Sequence, residues 1–230
     1  MKHLRVLSDG EESKLLEAVD SSFSDWYADP VRVPEIDPVG GSWRRMRNMV
    51  AVLLMLDAGV RVGELVQLRL TDLFYNNAPV RKLLIRAEIA KRKEVREVPL
   101  SDRLYQALKR FCPGRLLIES FPLTQRLMSR SPEGNGLTTR AVEKITKAAG
   151  VKAFGESVNP HMLRHTFATK LMRITDMATV QALLGHKNLS STSVYTHPNS
   201  DDKARAIEAL GKENGLGRRQ RGDNQGEKGD

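Results

Sequence analysis

The chain has 230 residues, enough for one domain with a sizeable core, and 37 Lys or Arg against 28 Asp or Glu give it a formal charge of +9. That balance favours an anionic partner, nucleic acid first and an anionic membrane surface second. A single cysteine, Cys112, excludes an internal disulfide framework and a Cys-rich zinc site, and no apolar run approaches the roughly 20 residues that span a bilayer.

The N-terminal run MKHLRVLSDGEESK has no signal-peptide core, so a cytoplasmic protein is expected. Ser8 is placed to cap a helix through residue 19, with Leu15, Leu16 and Val19 on its apolar side and Glu11, Glu12 and Lys14 facing water. Residues 21–42 hold three prolines, a Gly-Gly pair, Trp26 and Tyr27, and read as a long loop. From Trp43 to Asp57 the sequence is basic at first and then apolar, which predicts a central buried helix ended by Ala58-Gly59.

Three short strands are predicted over 68–73, 82–85 and 95–100. Between the last two lies a basic hairpin: residues 81–96 contain seven Lys or Arg and two acids. For most of these cations, Arg86, Arg92 and Lys93 among them, contact with a phosphate backbone is the ordinary reading. An amphipathic helix over 101–111 turns Leu104, Ala107 and Leu108 inward, and residues 113–137 are irregular. Thr138 or Thr139 then caps a helix that runs to Ala149, with Val142 and Ile145 inward and Gly150 as its stop.

The densest chemistry lies in Asn159–His197. Asn159 is a capping residue and Pro160 suits the first helical position, so His161 and Arg164 share one face at a helix N-terminus, a receptor for a phosphate. A second helix over 176–184 ends at Gly185, His186 follows, Ser190 or Ser191 can cap a further short helix, and Tyr195 stands nine residues after His186. Residues 202–210 form a last helix with Ala206, Ile207 and Leu210 on its apolar side, and the polar remainder reads as disordered.

The order HxxRH, LGH and Tyr resembles the C-terminal signature of the tyrosine recombinases, the family of phage integrases, Xer-type resolvases and fimbrial inversion switches. Upstream, GVRVGELVQLRLTD resembles the family's first arginine box. The resemblance covers roughly residues 7–210. It implies an α+β fold, a mostly helical catalytic domain with a small antiparallel sheet, spanning 1–210 with 21–42 as a loop insertion and 211–230 as a disordered tail. As in single-domain fimbrial switch recombinases, no separate N-terminal core-binding domain is expected.

The same resemblance implies a site-specific DNA recombinase that cuts and rejoins DNA through a 3′-phosphotyrosyl intermediate. Tyr195 is the implied nucleophile, Arg61 and Arg164 the phosphate ligands, His186 a hydrogen-bond donor to the same phosphate, and His161 an aid to proton transfer. Glu64 and His165 are supporting residues. Lys91 is the implied general acid for the 5′-oxygen; Lys93 is the alternative, because the usual glycine of the hairpin tip is absent. Expected partners are double-stranded DNA with inverted-repeat sites, further copies forming a homotetramer on two sites, and an accessory DNA-bending protein. Phosphodiester exchange by this route requires no metal or other cofactor. The i,i+4 pair His161 and His165 has Met162 where a zincin helix carries its glutamate, which argues against a zinc site. Two other functions fit the same residues, a type IB topoisomerase-like relaxation of DNA and a catalytically silent DNA-binding regulator.

Overall fold

The computed structural model describes residues 5–23, 41–76, 78–91, 93–111, 136–185 and 200–216. Among them run α1 (Asp9–Val19), α2 (Gly41–Asp57), α3 (Val62–Leu65), α4 (Leu70–Leu73), β1 (Phe74–Tyr75), β2 (Ala78–Pro79), β3 (Lys82–Ile85) and β4 (Arg96–Pro99). They are followed by α5 (Asp102–Phe111), α6 (Thr139–Phe154), α7 (Pro160–Ile174), α8 (Met177–Leu184) and α9 (Ser200–Leu216). Residues 24–40 of the expected 21–42 loop, residues 113–135 of the expected irregular stretch 113–137, Arg92, Cys112, His186, Ser190, Ser191, Tyr195 and the tail from 217 lie outside the described residues.

The centre of the fold is α2. Every residue from Met49 to Asp57 on this helix is buried, and each enclosed Leu or Met contributes on the order of 1.5–3 kcal/mol through apolar burial. It packs on α5 and α7 and also touches α1, α3 and α6. The helix starts at Gly41, two residues before the expected Trp43.

Local chemistry sets most helix ends. Ser8 Oγ accepts from Glu11 N at 3.3 Å while the Glu11 carboxylate accepts from Ser8 N at 2.9 Å, a complete capping box. Thr138, Asn159 and Asp176 each accept from the backbone N–H three residues on, at 3.2, 2.9 and 2.9 Å. Caps of this kind are worth about 1 kcal/mol each.

Three local expectations change. Glu12 faces the core, not water: its carboxylate meets Lys170 Nζ at 2.8 Å and Arg103 at 3.7 Å. Burial raises the Glu12 carboxyl above its ordinary value despite the opposing Arg103 and Lys170 charges. Asp57 joins the same cluster, accepting from Ser101 Oγ at 2.6 Å and from the Arg103 guanidinium. This ionic core staples α1, α2, α5 and α7 together. Next, Leu68–Leu73 is not a strand. The Asp72 carboxylate accepts from Arg69 N at 2.8 Å and closes the turn of helix α4, and β1 begins only at Phe74. Last, Gly150 does not stop α6. It lies within the helix where a Cβ would stand 2.6 Å from Glu156 O and from Val158, and the stop is Gly155, at φ 79. Of the two residues expected inward on α6, Val142 is buried and Ile145 only half-buried, with Thr146 buried beside them.

The small antiparallel sheet is present as two separate hairpins, β1 with β2 and β3 with β4. In the second, Leu83 faces Val98 and Ile85 faces Arg96, which places Leu83, Ile85, Arg96 and Val98 on the inner side. Helix α9 is longer than expected, reaching Leu216, and packs on α5, α7, α8 and β4 of its own chain with Ala206, Ile207 and Leu210 buried. No helix among the described residues is long and apolar enough to cross a membrane.

Candidate active site

A cleft of about 730 Å³ opens where the N-terminus of α7, the α2–α3 turn and the β3–β4 hairpin meet. Arg61, Glu64, Lys91, His161, Arg164 and His165 all line it, with Gln67, Ile89 and Leu184 among their neighbours. Six residues selected from sequence, spread over three segments, thus share one cavity. His186, Tyr195 and Arg92 are outside the described residues and are not located.

On α7, the Asn159 cap and Pro160 fix the entry, so His161 projects from the first turn into solvent and Arg164 lies one turn deeper, 7% exposed. The Arg164 guanidinium donates to the backbone carbonyl of Gly59 and, at 2.8 Å, to that of Leu184. Both are main-chain oxygens, and the Glu64 carboxylate acts on the same guanidinium through its charge. Burial, with the cations Arg61 and Arg96 nearby, pushes its guanidinium down to about 9, still protonated at neutral pH.

Arg61 precedes α3 and pairs with Glu64, 1% exposed, through Nη1 at 3.0 Å, while its backbone N donates to the other carboxylate oxygen at 2.9 Å. This i,i+3 ion pair lines the cleft with its acid buried. Burial would raise the Glu64 carboxyl, but hydrogen bonds and charge from Arg96, and the bonds from Arg61, outweigh it and hold it below its ordinary value.

The hairpin loop is anchored by buried Ile89 and Ala90, and by bonds from Ile89 N and Ala90 N to Arg86 O at 3.2 and 3.1 Å. Lys91 follows directly and lines the cleft; Lys93 is exposed, is not a lining residue, and adopts φ 52 where a glycine would be at ease. Arg86, expected as a phosphate contact, is also an internal tie. Its Nε and Nη2 donate to the two oxygens of Asp72 at 2.8 and 3.1 Å, tying the hairpin base to α4.

Sequence reading missed Arg96. It is 8% exposed, donates to both Glu64 oxygens at 2.9 and 2.6 Å, and donates through Nε to Leu183 O at 3.1 Å. The available signal was its place on the strand: Arg96 and Val98 alternate with exposed Glu97, so a cation falls on the inward side.

The cleft therefore joins fixed cations, two imidazoles and one neutralised acid around a space open to solvent, an arrangement suited to a tetrahedral oxyanion. Compared with known families, residues 37–202 match the phage integrase family. The chain belongs to the phage integrase family. Tyrosine recombinase XerC of Listeria innocua is 36% identical over 155 residues, 66% of this chain and 50% of that protein. The chain spans about half the length of the curated relatives it matches. Among solved structures, the XerA recombinase superposes with a TM-score of 0.60 at 26% identity, covering 95% of this chain and 67% of that one. The XerH recombinase bound to its difH substrate, in a pre-cleavage complex, gives 0.56 at 26% identity over 80% of this chain and 47% of the other. The mostly helical phage integrase fold with its small antiparallel sheet is shared with these neighbours.

Proposed function

We propose that this phage integrase family chain is the catalytic domain of a site-specific DNA recombinase, cutting and rejoining double-stranded DNA through a 3′-phosphotyrosyl intermediate. The observation that carries the reading is the convergence of Arg61, Lys91, His161 and Arg164 on one cleft. Relatives named as recombinases, one of them bound to its difH substrate, support strand exchange over relaxation alone or silent binding.

In this mechanism the phenolic oxygen of Tyr195 forms a bond to phosphorus as the bond from phosphorus to the 5′-oxygen breaks. Negative charge grows on the non-bridging oxygens, where the guanidinium groups of Arg61 and Arg164 stabilise it. Lys91 delivers a proton to the leaving 5′-oxygen, His161 assists proton transfer at the nucleophile, and His186 donates to the phosphate. The phosphotyrosyl link conserves the bond energy, so a 5′-hydroxyl from a second strand can attack and reseal with no nucleotide consumed.

Inverted-repeat DNA sites, a homotetramer on two of them and an accessory DNA-bending protein complete the reading. In such a tetramer the apolar side of α9 is the element that would exchange between protomers. Tyr195→Phe keeps the ring and removes the attacking oxygen. It should bind DNA as wild type does and form no covalent complex with a nicked suicide substrate, on which wild type accumulates one. A covalent adduct retained by the Phe variant, or none formed by wild type, would overturn the proposal.

A further inference from the structure

Arg96 has no role in the mechanism above, yet it is bonded to three elements that hold the groups used there. Its fork closes on Glu64, which at the same time holds the backbone N and the guanidinium of Arg61. Its Nε holds Leu183 O, next to the Leu184 O that Arg164 holds, and its stem lies against Gly185, where a Cβ would stand 3.2 Å from Arg96 Cδ. Its backbone belongs to β4, paired with Ile85 at the base of the hairpin that carries Lys91.

The charges give this contact a consequence. Two guanidinium groups on one carboxylate leave a net positive charge, so Arg61 is oriented by Glu64 without being neutralised by it. With Arg96 removed, Glu64 and Arg61 become a closed neutral pair, and the guanidinium is drawn toward the carboxylate and away from a phosphate. We propose that Arg96 is a positioning residue, acting through Glu64 to keep the Arg61 charge available to the scissile phosphate while it fixes the end of α8, from which the chain leaves toward His186. This rests on Arg61 being a phosphate ligand in the recombinase reading.

The test is single-turnover cleavage of a nicked half-site at saturating DNA, with DNA affinity measured separately. Arg96→Gln should slow cleavage on the order of a hundredfold, the loss typical of a displaced catalytic group, with little change in affinity. In an Arg61→Ala background the same change should cost almost nothing further, because Arg96 acts through Arg61. Arg96→Lys, which keeps charge and loses the fork, should fall between Arg96→Gln and wild type. Should Arg96→Gln fail to fold, Arg96→Lys, which keeps a buried cation beside Glu64, carries the test and should still cleave measurably more slowly than wild type. Additive losses with Arg61→Ala, or cleavage at wild-type speed by either folded variant, would overturn the inference. Absence of any adduct with wild type would instead overturn the recombinase reading.

Discussion

Arg164 donates to the carbonyl of Gly59, and the same glycine sits so close to α7 that a Cβ there would stand 2.4 Å from Cδ1 of Phe167. The end of α2 is thereby locked to the helix that presents His161 and Arg164. Gly59 also has φ 58, a conformation that costs other residues about 1–2 kcal/mol.

Gly59→Ala combines that backbone cost with overpacking against Phe167, for a total of roughly 2–4 kcal/mol. Urea denaturation should show the loss as a lower midpoint at an unchanged slope. An unshifted midpoint would mean that α7 moves aside without cost.

Burial, together with the neighbouring Arg61 and Arg96 charges that Glu64 only partly offsets, pushes Arg164 down to about 9. For a base lowered in the folded state the unfavourable contribution is present at neutral pH and is relieved as pH rises through about 9. An oxyanion in the cleft should relieve it at neutral pH. Inorganic phosphate, added at constant ionic strength, should raise the melting temperature of wild type and do so much less for Arg164→Gln. Equal shifts for both proteins would remove the cleft as the site of binding.

Glu64 has the opposite sign. Its folded-state carboxyl lies below the ordinary value of 4.5, so its stabilising contribution is complete above that value and is lost as pH falls through the lower folded-state value. Stability measured from pH 7 downward should therefore fall in the acid limb, and Glu64→Gln should flatten that limb while lowering stability near neutral pH. An acid limb of identical slope in the variant would assign the loss to other carboxylates.

Lys91 and Lys93 separate by their places on the hairpin. Lys91→Ala should bind DNA nearly as well as wild type and cleave roughly a hundredfold more slowly, as expected for loss of a general acid. Replacing the bridging 5′-oxygen by sulfur, a leaving group that needs no proton, should restore cleavage by Lys91→Ala and leave Arg164→Ala slow. Lys93→Ala should chiefly lose affinity and salt dependence. Lys93→Gly, at φ 52, should gain about 1 kcal/mol of stability from relief of the left-handed backbone. Sulfur rescue of Lys93→Ala in place of Lys91→Ala would move the general acid by two residues.

Helix α9 is docked on its own chain, with Ile207 only 1% exposed. Ile207→Ala should cost roughly 2–4 kcal/mol in the DNA-free monomer, as a cavity under a packed helix does. Removal of residues 217–230 should leave the melting temperature unchanged. If Ile207→Ala leaves monomer stability intact and weakens only the synaptic complex, the helix docks solely on a neighbouring copy.

The sequence by itself determined the parts whose information is local. Ser8, Thr138, Asn159 and Asp176 cap their helices because a side-chain oxygen reaches an N–H three residues on. The apolar run of α2 must be buried, and the spacing of Arg61 with Glu64 and of His161 with Arg164 puts each pair on one face. Tertiary structure decided what depends on partners far along the chain. Glu12 is buried because Lys170 and Arg103 meet it there, Arg86 is held by Asp72, and Gly150 is a close-packing position because Val158 returns against it. Lys91 lines the cleft and Lys93 does not because Ile89 and Ala90 anchor the loop. Arg96 was counted in sequence as one cation of a basic hairpin, and only the fold brings it to Glu64, since spacing along a strand gives the side on which a charge falls and not the acid that waits there.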